Sequence, residues 1–334
     1  MTNRGKVPSK IFTLCLLAFC LTGCNRNSQK YSQNTPIKLS KQVLCSTGPS
    51  SGSKKTLCVV CSGIGLGPRK EAFLEEVKKN LHIDGLEIRA FEPDGDRFKT
   101  GIEVQSQEVF RKIIEEYEDD KDIPIVLVGH SQGGLRAYRV ALMLKEAGYT
   151  VICVVTVVTP WQGIALLGDV RRSVTLGCLN SSWGKKLGIK KEIIKRLQNG
   201  GQGVDDMKPG SKFLEGISAA LRSNEIPILA IGAYYKMGAQ KTSYLMMGLI
   251  GKKKHDTLIS LDSQLAKDIE KKNFVDPRTI NAHHGYLKFK NKKAESATNP
   301  LDAKEEVTSA IKSSAFGEAM QDFIVEQLQI APLG

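Results

Sequence analysis

Residues 123 to 144, Ile-Pro-Ile-Val-Leu-Val-Gly-His-Ser-Gln-Gly-Gly-Leu-Arg-Ala-Tyr-Arg-Val-Ala-Leu-Met-Leu, leave this chain few ways to fold. The β-branched and leucine run at 125–128 has the composition of a strand buried on both faces, and Leu135, Val140 and Leu144 fall near helical spacing beyond the glycines. Between the two stands Ser131, with Gly129 two residues before it and Gly133 two after. Small residues at those positions let a strand and a helix close around a strained turn, and the turn lifts the hydroxyl above the sheet edge, where a base can reach it. A plain tight turn in a βαβ unit is the alternative. Gly48-Pro-Ser-Ser-Gly52 has the same spacing, but it lies in a polar stretch with no strand before it and no amphipathic helix after it.

Around this stretch the pattern alternates. Strands are expected at 56–62, 86–91, 150–159 and 226–232, helices near 68–81 and 104–117, and a terminal amphipathic helix within 304–328. Strands alternating with helices, several apolar on both faces, predict an α/β fold: a mostly parallel central sheet covered by helices on both faces. One domain, 56–334, accommodates them, with an insertion near 164–224 where the rhythm lapses.

The N-terminus is an address. Arg4, Lys6 and Lys10 precede an apolar run at 11–21 that is too short to span a bilayer comfortably and ends in Leu21-Thr-Gly-Cys24. That ending resembles a bacterial lipobox. The resemblance implies a signal peptide at 1–23, cleavage before Cys24, lipidation of that residue, and a membrane-anchored protein without a transmembrane segment. An ordinary cleaved signal or a short anchor helix is the alternative. Asn25 stands where an aspartate is associated with inner-membrane retention, so the resemblance implies the bacterial cell envelope, with the anchor in the outer membrane facing the periplasm. Residues 24–55 are poor in large apolar side chains and read as the lipidated end and a flexible tether.

Removing the three leader cations lowers the formal charge from +13 to +10. A basic balance favours anionic surfaces; no nucleic-acid module is recognisable, and anionic lipid head groups suit the location better. Of eight cysteines, Cys45, Cys58, Cys61, Cys153 and Cys178 remain beyond Cys24, and five cannot all pair within one chain. Cys58 and Cys61 share a predicted strand at a spacing that puts them on opposite faces, which makes them small core residues rather than a redox pair.

From residue 56 onward the chain resembles the α/β-hydrolase superfamily, nearest in pattern to bacterial lipases and esterases. The resemblance makes Ser131 a nucleophile and the backbone N–H groups of Gln132 and Ile64 the oxyanion donors. Ile64 lies in Ser62-Gly-Ile-Gly-Leu-Gly67, which resembles a His-Gly-x-Gly loop with Ser62 in the histidine position. That departure leaves the backbone donor but removes a residue that often braces the loop. A phosphate cradle is the other reading, although no Walker lysine-serine pair follows.

His255-Asp-Thr-Leu-Ile-Ser-Leu-Asp-Ser263 resembles the family's Asp-Gly-x-Val-Ser-x-x-Ser turn, with Thr257 in the glycine position. It implies Asp256 as the acid that orients a histidine, with Asp262 as the fallback and an inert surface aspartate as the alternative. The order Ser, Asp, His then leaves His283 and His284. His283-His-Gly-Tyr-Leu287 resembles a His-x-Gly-Leu-Leu ending whose first position is catalytic, so His283 is the expected base and His284 the alternative. Two adjacent histidines make a poor metal-ligand set, and neither metal nor organic cofactor is expected. Val204-Asp-Asp-Met-Lys-Pro-Gly-Ser-Lys-Phe-Leu214 resembles a lipase segment in which Asp205 and Asp206 are structural. The insertion, with Arg171, Arg172, Lys185, Lys186, Lys190 and Lys191 among apolar residues, reads as a substrate cap or as a solvated helical insertion. Together these imply a serine hydrolase for lipid or acyl esters. Acyl transfer, thioester hydrolysis and a catalytically silent binding protein are the alternatives.

Overall fold

A computed structural model describes residues 55–64, 69–167, 199–223, 225–234, 254–256, 258–266, 275–282, 284 and 309–331. All of them belong to the unit Gly52–Gly334. The leader, Cys24, nearly all of the tether, the second Gly-x-Ser-x-Gly match, Cys45, Cys178 and the basic run of the insertion lie outside the described residues.

Six strands form one sheet: β1 (Thr56–Cys61), β2 (Leu86–Ala90), β3 (Ile125–His130), β4 (Val151–Val157), β5 (Ile228–Tyr234) and β6 (Val275–Asn281). Their spatial order is β2-β1-β3-β4-β5-β6, with every neighbouring pair parallel. Parallel neighbours need crossovers, and helices supply them: α1 (Arg69–Asn80), α2 (Ile102–Glu116) and α3 (Gln132–Glu146). After β4 come two helices at Gln202–Asp205 (α4) and Lys212–Ser223 (α5); Leu261–Gln264 (α6) follows β5, and Ser314–Ile330 (α7) follows β6. The expected α/β architecture is the one the chain forms.

Strand alternation builds two cores. Leu57, Val59, Cys61, Ile125 and Leu127 face a layer with Ile102, Val109 and Ile113 of α2, Leu135 and Tyr138 of α3, and Leu214, Ile217 and Leu221 of α5. Cys58, Val60, Val126 and Val128 face the other way, onto Phe73 and Val77 of α1 and Phe316, Met320, Phe323 and Ile324 of α7. Full burial of each large apolar side chain stabilises by about 1.5–3 kcal/mol, so both faces contribute. Cys58 and Cys61 therefore lie on opposite faces as free thiols, and Cys153 joins the second core. Burial pushes Cys61 up to about 11 and raises Cys58 and Cys153 as well.

β3 lies between β1 and β4, and α3, which leaves it, is buried from 132 to 144 except at Arg139. α2 begins at Gly101, which has no side chain to cap it. Asp206 does so from the distant α4 region, its Oδ2 accepting the Ile102 N–H at 2.7 Å while its Oδ1 accepts from Gln202 at 2.7 Å. That places Asp206 among the structural residues, as the motif implied.

β6 has no counterpart in the sequence reading. Its sequence, Val-Asp-Pro-Arg-Thr-Ile-Asn, contains a proline and three polar or charged residues before the isoleucine. Such a composition suits a sheet edge, and among the described residues β6 pairs with β5 only.

Candidate active site

Ser131 occupies the turn between β3 and α3 with φ 56° and ψ −127°, a conformation that costs a non-glycine residue on the order of 1–3 kcal/mol. The surrounding glycines are what permit it. A Cβ on Gly129 would meet the Gly133 carbonyl oxygen at 2.6 Å and the Gly134 nitrogen at 2.7 Å; one on Gly133 would strike the backbone of Cys61 and Ser62. One on Gly134 would overlap Thr159. Strand, turn and helix are thus pressed together by the absence of three side chains, and the Ser131 N–H is held by the Val157 carbonyl at 2.9 Å.

The sheet brings two distant segments to this hydroxyl. After β5 the chain forms a tight turn in which Asp256 Oδ1 accepts the N–H groups of Leu258 at 2.9 Å and Ile259 at 2.8 Å. After β6 it returns beside that turn, where the His284 N–H donates to the Asp256 carbonyl at 2.8 Å. His284 Nδ1 then lies 2.6 Å from Asp256 Oδ2, and His284 Nε2 lies 3.1 Å from Ser131 Oγ. All three side chains are buried. With the carboxylate fixing a proton on Nδ1, Nε2 is left as an acceptor facing the serine hydroxyl.

The imidazole at this position is that of His284, and the expectation of His283 is corrected. The His284 main-chain bond to the Asp256 carbonyl holds this ring beside the carboxylate. His283 lies outside the described residues, as does Thr257. Asp262, the fallback acid, sits in the first turn of α6, whereas the carboxylate on the histidine is that of Asp256. The neighbouring ring of His130 lies 5.6 Å from that of His284, centroid to centroid, and 5.4 Å from Phe73. His255 is also buried, which lowers its pKa, with Asp256 acting in the opposite direction.

The loop after β1 passes directly beside the serine. A Cβ on Gly63 would lie 3.0 Å from the Ser131 Cβ and 3.0 Å from the His130 carbonyl oxygen, so only glycine lets the loop come this close. Ile64 follows in a bend, and Gln132 opens α3, where its N–H has no carbonyl one turn earlier within the helix. Both expected oxyanion donors thus belong to segments that border Ser131.

Ser62 leaves the loop well supported, contrary to what the missing histidine suggested. Its N–H and hydroxyl both donate to Glu92 Oε1, at 2.9 and 2.5 Å. Its carbonyl accepts from Arg97 at 3.1 Å and from Arg136 at 2.7 Å, and both guanidinium groups also reach Glu92 Oε2. Arg136 makes a further bond to Gln105 at 2.8 Å. Sequence reasoning missed this group. Its one visible signal is Arg136, a charged residue set among Leu135, Ala137 and Tyr138 on a helix otherwise fit for burial.

In the insertion, Val204, Met207, Leu214, Ile217 and Leu221 pack into the first core. Among the described residues no three His, Cys, Asp or Glu side chains gather as a metal site, and no helix is long and apolar enough to cross a membrane.

No family model matches the chain, and no curated protein matches it. Solved structures do. The mature lipase BlEst2 of Bacillus licheniformis is similar at 13% identity and a TM-score of 0.46, over 70% of this chain and 88% of its own. A metagenomic carboxyl esterase, MGS0156, is similar at 11% identity and a TM-score of 0.48, over 98% of this chain and 96% of its own. ClbQ from the colibactin NRPS/PKS pathway is similar at 11% identity and a TM-score of 0.45, over 84% of this chain and all of its own.

Proposed function

We propose that this chain is a serine hydrolase that cleaves carboxylic esters, those of lipids or other acyl groups, through an acyl-enzyme. The observation that carries this reading is the run Ser131 Oγ, His284 imidazole, Asp256 carboxylate, at 3.1 and 2.6 Å, on a strained serine turn. His284 Nε2 takes the hydroxyl proton as Ser131 attacks the carbonyl carbon, and then delivers it to the leaving oxygen. Asp256 holds the tautomer and balances the imidazolium. The backbone N–H groups of Ile64 and Gln132 receive the oxyanion. Water deacylates the serine by the same steps in reverse.

The substrate class and location rest on sequence. An apolar leader ending at Cys24 supports a lipid anchor in the bacterial outer membrane facing the periplasm, and the basic insertion supports contact with anionic lipid head groups. An anchored enzyme of this kind meets its ester at the membrane surface.

The test is a fluorophosphonate serine probe on the purified chain, with the adduct located by mass spectrometry. The adduct is expected on Ser131, absent in Ser131→Ala and strongly slowed in His284→Ala. A folded wild-type protein that forms no adduct, with or without detergent, refutes the reading. Metabolic labelling with a fatty acid, lost in Cys24→Ala, tests the anchor.

A further inference from the structure

We infer that Arg97 is a positioning residue that aims the oxyanion donor of Ile64. The inference deepens the hydrolase reading and rests on it.

In the peptide joining Gly63 to Ile64, the Gly63 carbonyl and the Ile64 N–H point in opposite directions, because the unit is planar and trans. Whatever holds the carbonyl aims the N–H. Arg97 Nη1 donates to that carbonyl at 2.5 Å and to the preceding one, of Ser62, at 3.1 Å. The shortest of the Nη1 contacts, to the Gly63 carbonyl, orients the Ile64 N–H on the opposite side of the same peptide. The turn that carries Arg97 is also tied to α3, since the Arg97 carbonyl accepts the Gln132 side-chain amide at 3.3 Å, and that amide also donates to the Gly203 carbonyl at 3.0 Å.

Arg97 is itself held. It is buried, paired with Glu92 at 3.2 Å, and bonded to the Ser62 hydroxyl at 2.8 Å. Its carbonyl also accepts from Gln105 at 3.2 Å. The turn carrying it is closed by Asp96, whose side chain accepts the Phe98 N–H and whose carbonyl accepts those of Lys99 and Thr100. One guanidinium nitrogen, Nη1, makes these contacts with the carboxylate and the carbonyls, on a charge that arginine keeps at any working pH. Preorganised donors matter because an oxyanion site gains its effect by needing no reorganisation during the reaction.

The test uses the full chain and p-nitrophenyl butyrate. Removing an oxyanion donor outright costs on the order of 10²–10³-fold in kcat, so a misaimed one in Arg97→Met should cost about 10–10²-fold with KM within about threefold. A trifluoromethyl ketone, whose serine adduct carries an oxyanion, should lose affinity by the same factor. Arg97→Lys, which keeps a positive charge beside Glu92, covers the case in which Arg97→Met does not fold, and it should show a smaller loss that is likewise in kcat. Arg139→Met, which breaks the separate pair with Glu103 (2.8 Å), should leave kcat unchanged. Folded Arg97 variants with wild-type kcat, or with a loss confined to KM and unchanged ketone affinity, overturn the inference while a Ser131 adduct in the wild type keeps the hydrolase reading intact. Absence of that adduct overturns both.

Discussion

Replacing Asp256 by asparagine should disable the site while leaving the fold in place, and the hydrogen bonds around the carboxylate say why. Oδ1 accepts two N–H groups, from Leu258 and Ile259, so in the variant the amide oxygen must occupy that position. The NH2 group is then forced onto the side of Oδ2, facing His284 Nδ1 at about the present 2.6 Å. Two donors cannot share that contact, and the ring moves its proton to Nε2, the atom that faces the Ser131 hydroxyl at 3.1 Å. A wrong-tautomer histidine cannot accept the serine proton, and the equivalent change in a serine protease costs about 10⁴ in kcat. At 1.36 kcal/mol per decade this is roughly 5 kcal/mol of transition-state stabilisation. Steady-state hydrolysis of p-nitrophenyl butyrate near pH 7.5 and the rate of fluorophosphonate labelling should fall together, with the thermal midpoint close to wild type because both N–H bonds survive. Asp262→Asn, altered in α6 away from the histidine, should keep full activity. An Asp256→Asn enzyme within tenfold of wild type, or an equal loss in Asp262→Asn, would refute the reasoning.

His284→Ala should lower kcat on the same ester by at least about a hundredfold more than His283→Ala, since removing the base of such a site alone costs several orders of magnitude; the comparison needs only initial rates. Asp206→Ala leaves the Ile102 N–H at the start of α2 without its acceptor and should destabilise by about 1–2 kcal/mol in urea denaturation, with kcat near that of wild type. Cys58, Cys61 and Cys153 should resist iodoacetamide at pH 8 in the native protein and react fully in guanidinium, as read by intact mass. The Cys61 thiol, raised from 9.0 to about 11 mainly by burial, binds its proton more tightly folded than unfolded. Its contribution to stability is therefore complete below pH 9 and is lost as pH rises from there through 11, so urea midpoints should decline across that window.

What the sequence made legible was local. The turn at Ser131 could be read because its requirements, small residues at fixed offsets between a buried strand and a buried helix, all fall within a few residues of one another, and the alternation of strands and helices follows from periodicity alone. β6 escaped because an edge strand is excused from the apolar alternation that marks an inner one, and Pro277 argues against a strand until its place at the edge is known. The histidine is a different case. A motif narrows the choice to two neighbours, but the contact that identifies His284 joins two loops 28 residues apart, His284 N–H to the Asp256 carbonyl. The support of the loop after β1 was hidden for the same reason. Glu92 follows β2, Arg97 lies in the next turn and Arg136 in the second turn of α3, and no spacing in the sequence announces that they meet on Ser62.

That convergence also accounts for the departure at Ser62. A histidine there would present a ring where the serine hydroxyl now fits between Glu92 and Arg97, at 2.5 and 2.8 Å, and such a ring would displace the two groups from each other. A small hydroxyl lets one carboxylate and two guanidinium groups close on the loop backbone instead: each guanidinium meets the carboxylate and a carbonyl, and the carboxylate also accepts the Ser62 N–H. Burying them unpaired would cost several kcal/mol apiece, so Ser62, Glu92, Arg97 and Arg136 make sense only together. Ser62→His in this chain should therefore impair the loop after β1, with a fall in kcat and an unchanged Ser131–His284 pair. A fully active Ser62→His variant would refute that reasoning.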